Sequence, residues 1–258
     1  SDWQFDGLLS PGTYSGLLAG LMRKIFTATA ALTTLSLTIA GAGPYTITRG
    51  SGDFLAGGLK IGDVIRITAG TYANPVNRDN NFVITALTAT VATVITLNGT
   101  TLIAEGPVAT STITVMGKKC IVPLTGHTDK LFTIEEWYAD LSKSELFPDI
   151  RVGQADIGLP ASGNATIKLS SMGLGVRTNG VAQALTSPSS ATTSPVLTAV
   201  RGILLVNGAK NQVVTGVTIT VKTALTAQGA IVGSNYSPDM SRGRIEVSGS
   251  FTALFDST

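Results

Sequence analysis

The stretch 242–256, Arg-Gly-Arg-Ile-Glu-Val-Ser-Gly-Ser-Phe-Thr-Ala-Leu-Phe-Asp, constrains the fold of this chain more than any other. Ile245, Val247, Phe251, Ala253 and Phe255 share one parity, and Arg244, Glu246, Ser248, Ser250, Thr252 and Asp256 share the other. That period of two predicts a strand with one buried and one wet face. Gly249 falls on the apolar parity, where a bulge or the close approach of another backbone is expected. A strand this long is not stable alone, so the rest of the chain must supply partners for it.

Those partners are visible as further short runs of Val, Ile and Thr. Residues 3–9, 131–138, 164–170, 201–206 and 213–222 read as strands, with Asn207-Gly208 as a turn, and several of them set Thr, Ser and isolated charges against Val, Ile and Leu. Residues 45–49, 63–69, 81–87, 91–97 and 111–116 form a second set, separated by Gly, Pro and Asn, and predict a small barrel or meander inserted over 44–116. The remainder, 1–43 and 117–258, is expected to be the main β domain. Residues 11–24 carry the one helix signal: Ser10-Pro11, then Tyr14, Leu17, Leu18, Leu21 and Ile25 at helical spacing. Between 175 and 195 lies a Ser, Thr and Gly stretch with two Ser-Pro steps, expected to be an exposed loop. The expected class is mainly β, an antiparallel sandwich or barrel core with one amphipathic helix and an inserted small β domain.

Composition narrows function by exclusion. With 13% charged residues and a formal net charge of +2, the chain has no run of Lys or Arg that would grip phosphates. No apolar run approaches the length of a membrane-spanning helix, so membrane insertion is not expected. The lone cysteine, Cys120, can form no intramolecular disulfide and reads as a small buried thiol in a strand. The one histidine, His127, sits in Thr-Gly-His-Thr-Asp, a turn-like surface setting. No nucleophile elbow, zinc-protease, phosphate-loop or calcium-loop motif occurs. Adjacent Glu135 and Glu136 in a strand point to opposite faces and cannot form a glycosidase pair. Asp53 and Asp63 read as turn formers rather than as metal ligands with Asp79. The expectation is a protein that is not an enzyme and holds no cofactor or metal.

Three segments and the C-terminal strand together resemble the tail tube (major tail) proteins of long-tailed bacteriophages. They are Leu-Leu-Ser-Pro-Gly-Thr-Tyr from Leu8, Gly-Asp-Phe-Leu-Ala-Gly-Gly-Leu-Lys-Ile-Gly-Asp-Val-Ile-Arg from Gly52, Val-Gly-Gln-Ala-Asp-Ile-Gly-Leu-Pro-Ala-Ser-Gly-Asn from Val152, and the ending from Gly243. The resemblance implies a homo-oligomer: hexameric rings that stack into a tube whose lumen conducts the genome during ejection. It implies a virion tail location, assembly in the host cytoplasm, tape measure and terminator proteins as partners, and double-stranded DNA passing non-specifically through the bore. The small β domain is then expected on the tube exterior. Lumen-facing candidates are Glu135, Lys168, Lys222, Arg244, Glu246 and Asp256, and ring-contact candidates are Trp3, Phe5, Trp137 and Tyr138. The segments 1–9 and 175–195 are candidates for contacts between stacked rings. A secreted or surface β-sandwich that binds carbohydrate or mediates adhesion is the alternative the same Thr-rich strands allow.

Overall fold

A computed structural model of the chain describes residues 2–122, 124–187, 192–198, 204–206, 209–211, 213–234 and 237–254. The fold is mainly β, with antiparallel sheets and, among the described residues, one α-helix. The chain divides into two compact units. The first comprises Ser1–Ile25, Cys120–Leu204 and Lys210–Thr258, and the second Phe26–Lys119 with Leu205–Ala209.

The first unit is built on one seven-stranded sheet. Its main path runs β1 (Asp2–Leu8), β10 (Thr166–Gly173), β9 (Lys143–Pro160), β14 (Val214–Ala227) and β15 (Met240–Ala253), while β8 (Phe132–Tyr138) and β11 (Thr178–Gly180) also pair with β9. The 18-residue β9 therefore serves as the spine of the sheet. Helix α1 (Ser15–Leu21) is shorter than the predicted 11–24. Gly12 at φ +85° and Arg23 at φ +53° take left-handed backbone conformations at either end, which a right-handed helix cannot contain. Ser10 does not cap the helix; its hydroxyl bonds that of Thr13, and Ser15 Oγ donates to the Gly12 carbonyl at 2.8 Å.

The helix buries Leu21 against Val152, Ala155, Ile167 and Leu169, with Phe5, Tyr14, Leu17 and Phe132 around them. Two glycines permit this close seat. A Cβ on Gly7 would lie 2.2 Å from Tyr14 Oη, and one on Gly20 would lie 2.6 Å from the Phe132 ring.

In the second unit, β2 (Leu32–Ala40), β3 (Tyr45–Arg49), β6 (Val91–Thr96), β5 (Phe82–Leu87), β4 (Val64–Ala69) and β7 (Glu105–Val115) close into a barrel in that order. Its first strand, β2, lies upstream of residue 44, where the sequence places the start of the small domain. Alternation of Leu35, Leu37 and Ile39 with polar residues sends these three into the barrel interior beside Ile47, Ile65, Ile67, Phe82 and Ile84. Two short strands, β12 (Leu204–Val206) and β13 (Ala209–Asn211), pair with each other. The Asn207-Gly208 turn expected between them lies outside the described residues, as do 188–191 of the expected 175–195 loop. Within that loop, 178–180 is not free chain but the strand β11, paired to β9.

Candidate functional site

The seven-stranded sheet has two chemically distinct faces. Across β1, β10, β9, β14 and β15 the pairing register aligns Gln4, Ser170, Gln154, Lys222 and Glu246 in one row. The next row is Asp6, Lys168, Asp156, Thr220 and Ser248, and the third is Leu8, Thr166, Gly158, Thr218 and Ser250. Successive rows lie two residues apart on every strand, so all three share a face.

That face is knitted by its own polar groups. Gln4 Nε2 donates to Ser170 Oγ at 3.0 Å, Thr220 Oγ1 to Asp156 Oδ1 at 2.6 Å, and Gln154 Nε2 to Asp156 Oδ2 at 2.7 Å. Lys222 and Glu246 pair at 3.4 Å with both side chains half exposed, which makes the pair worth no more than about 1 kcal/mol. The three rows hold three carboxylates against two ammonium groups among hydroxyls and amides. An open cleft of about 460 Å³ lies at one end, lined by Asp2, Trp3, Gln4, Gln154, Ser170 and Leu225 among others.

The opposite face carries Phe5, Leu169, Ala155, Val221 and Val247 in one row, and Ile167, Ile157 and Ile219 in the next. Helix α1 covers its centre, where Leu169, Ala155 and Ile167 are buried. Cover fails toward β15. Ile219 is 37% exposed, Val247 66% and Phe251, opposite Val217, 67%. The sequence predicts this parity as the buried one, and within a single chain the outer half of β15 has both faces in water. Gly249 holds the predicted close approach, since a Cβ there would lie 3.0 Å from the Thr218 carbonyl, while the bulge falls nearer Gly243, between Thr223 and Leu225 of β14.

The lumen candidates divide accordingly. Lys168, Lys222 and Glu246 lie on the polar face, and exposed Arg244 falls, with Gly243, within the bulge that precedes Ile245. Glu135 stands apart on β8, where its carboxylate accepts the backbone N–H groups of Ala184 and Leu185 at 2.7 and 2.8 Å. Asp256 lies outside the described residues. Of the contact candidates, Phe5 packs into the chain's own core against Trp3 and Tyr14, with ring centroids 4.9 and 5.8 Å apart. Trp137 is half buried; Tyr138 is exposed and donates to Glu136, whose hydrogen bond and charge push the phenol above its ordinary pKa.

Residues that could carry chemistry are engaged otherwise. His127 is exposed, outside any helix, strand or turn. Cys120 lies outside any strand, half buried, with Sγ donating to the Lys24 carbonyl at 3.2 Å. Asp53 accepts the N–H groups of Leu55 and Ala56, and Asp63 that of Lys60, the turn-forming roles read from the sequence. No group of side chains suited to a metal occurs among the described residues. Sequence reasoning missed Asp156 and Gln154 on the polar face, because β9 itself was not read as a strand.

A family model described as phage tail tube protein matches residues 4–258, nearly the whole chain. The chain belongs to the phage tail tube protein family. No curated protein sequence matches it. Membership makes this tail tube protein a structural component of the virion tail that assembles with other copies and other tail proteins. No described helix is long and apolar enough to cross a membrane.

Proposed function

We propose that six copies of this tail tube protein close into a ring, that rings stack, and that the bore conducts double-stranded DNA during ejection. The observation that carries this reading is the two-faced sheet: a complete polar face on one side, and on the other an apolar face left half uncovered at the open edge β15. A bare edge with exposed Val247 and Phe251 beside it favours pairing with another chain. Because β1 and β15 are the opposite edges of the same main sheet path, joining β15 of one copy to β1 of the next is a head-to-tail contact, the kind that closes into rings.

In such a ring the polar face lines the bore, with Lys168, Lys222, Arg244 and Glu246 on the wall. A conduit for a polyanion must hold it weakly, and each cation that neutralises a phosphate adds salt-dependent affinity. Hydroxyls and amides with a near balance of charge suit passage rather than binding. The barrel unit decorates the tube exterior, and tape measure and terminator proteins meet the tube during assembly in the host cytoplasm. The residues that line the bore and the ring number are tested together by negative-stain and cryo-electron microscopy of the purified full chain. Rings of sixfold symmetry with the 168–222–246 face inward support the reading; a monodisperse monomer, or rings with that face outward, overturns it.

A further inference from the structure

Three arginines of the first unit meet at the base of β15. Arg23 follows α1 and donates from Nη2 to the Gly243 carbonyl at 3.1 Å. Arg151 of β9 pairs through Nη2 with Asp129 at 3.0 Å and through Nη1 with Asp239 at 2.9 Å, and also reaches the Met240 carbonyl at 2.6 Å. Arg242 of β15 uses Nη1 for Asp129 at 2.8 Å and for the Gly20 carbonyl at 3.2 Å. Two carboxylates thus face three guanidiniums, which leaves one positive charge in excess.

The excess has an address. The side chain of Arg242 is only 6% exposed, yet its Nε and Nη2 are buried without an acceptor among the described residues. Those two N–H groups lie along one edge of the guanidinium, the fork that matches both oxygens of a carboxylate or two oxygens of a phosphate. Nε of Arg23 and of Arg151 are also buried and unpartnered. Burial lowers the Arg242 pKa from its ordinary value; Asp129 opposes that, and Arg151 and Arg23 add to it by repulsion. The surplus of guanidiniums over carboxylates around this fork favours one more anion, and none of the described residues supplies it.

We propose that the Nε–Nη2 edge of Arg242, flanked by Arg23 and Arg151, binds an oxyanion. Asp129, bonded to Nη1 of the same guanidinium, has its carboxylate half in water, so solvent comes close to the fork. It is either a free ion such as phosphate or the carboxylate of an acidic side chain from a second copy; the recognising chemistry is the same. Since Arg242 and Gly243 form the base of the edge strand, filling the fork fixes the place where β15 leaves its regular register with β14. The site does not depend on the tube reading, because dispersed subunits reveal it.

The test titrates the full-length chain, dispersed at low concentration, with sodium phosphate against sodium chloride at equal ionic strength, and follows Tm. Phosphate is expected to raise Tm saturably and chloride not to, as for any ligand that binds the folded state alone. The increment is lost in Arg242→Lys, which keeps the charge and removes the fork, and is kept in Arg177→Lys, a change at the exposed Arg177–Glu145 pair. Should Arg242→Lys not fold, the arginine Nε–Hε resonances of the unaltered chain serve instead, and phosphate is expected to shift the buried set. Repeating the titration on assembled protein separates the sources: an increment that disappears on assembly identifies a neighbour's carboxylate, and one that persists identifies a free ion. Equal Tm in the two salts with unmoved Nε–Hε resonances overturns the proposal, as does an increment that survives Arg242→Lys.

Discussion

The two units use the same strand chemistry, Thr and Ser alternating with Val, Ile and Leu, to opposite ends. In the barrel every strand is paired on both sides, and Phe54, Phe82, Leu37, Ile47, Ile65 and Ile67 are sealed inside. In the seven-stranded sheet β1 and β15 leave edges that no described strand covers, and apolar side chains near β15 stand in water. Composition does not separate the two; closure does. A barrel abolishes its edges and is complete as one chain, whereas an open sheet with an uncovered apolar flank is completed by a neighbour.

If the barrel is self-sufficient, its largest sensitivity is to its own packing. Phe82→Ala, at a fully buried site, is expected to cost about 3–5 kcal/mol in urea unfolding of the barrel unit, in dispersed and assembled protein alike. Next comes the one strong charge pair of that unit. Lys119 Nζ sits 2.6 Å from Asp63 Oδ2 and 2.8 Å from the Gly58 carbonyl, with both partners largely buried. Lys119→Met strands the Asp63 carboxylate and is expected to cost about 3 kcal/mol by the same unfolding measurement.

Acid probes the barrel more gently. Desolvation pulls the Glu105 pKa up, but the N–H groups of Ala73 and Asn74 and the side-chain amides of Asn74 and Asn77 outweigh it and hold the carboxyl below its ordinary 4.5. A folded pKa below the unfolded one contributes stability that is present above 4.5 and is lost as pH falls from there through the folded value. Glu105→Gln should therefore lower the urea midpoint of the barrel at neutral pH and flatten its fall on acidification below about pH 4.5. A mutant whose acid profile retains the full slope would remove Glu105 from the account.

The smallest effect on stability belongs to the sheet's open flank. Phe251→Ser is expected to change the unfolding free energy of the dispersed chain by no more than about 0.5 kcal/mol, because the ring is already in water. Its effect on assembly is expected to be total, read as loss of rapidly sedimenting material. A marked loss of dispersed-state stability would mean that Phe251 is buried within its own chain, and the contrast between the units would fall.

Much of this was legible in the sequence, but unevenly. β10, β14 and β15 announce themselves through alternation, β1, β3 to β6 and β8 as short strand-forming runs, and the turn roles of Asp53 and Asp63 follow from Asx chemistry. The spine β9 was hidden, because Pro148, Asp149, Gly153 and Gly158 interrupt its pattern; Asp149 takes φ +56°, and Gly153 is glycine where a Cβ would lie 2.7 Å from Leu225. β2 was masked by a Thr- and Ala-rich lead-in, with Thr34 at φ +56° shifting its register. The polar face needed registers that no single strand encodes, so Lys168, Lys222 and Glu246 could be chosen by parity while Asp156 could not. The Arg23, Arg151 and Arg242 cluster draws on residues from three distant parts of the chain and leaves no local signal.

Amide hydrogen exchange on the full chain, dispersed and assembled, tests most directly whether the sheet is completed by neighbours. Barrel amides in β2 to β7 should be protected equally in both states, while β15 amides over 246–253 should exchange quickly when dispersed and become protected on assembly. Protection of β15 that is already full in dispersed chains, or that does not change on assembly, would contradict the account.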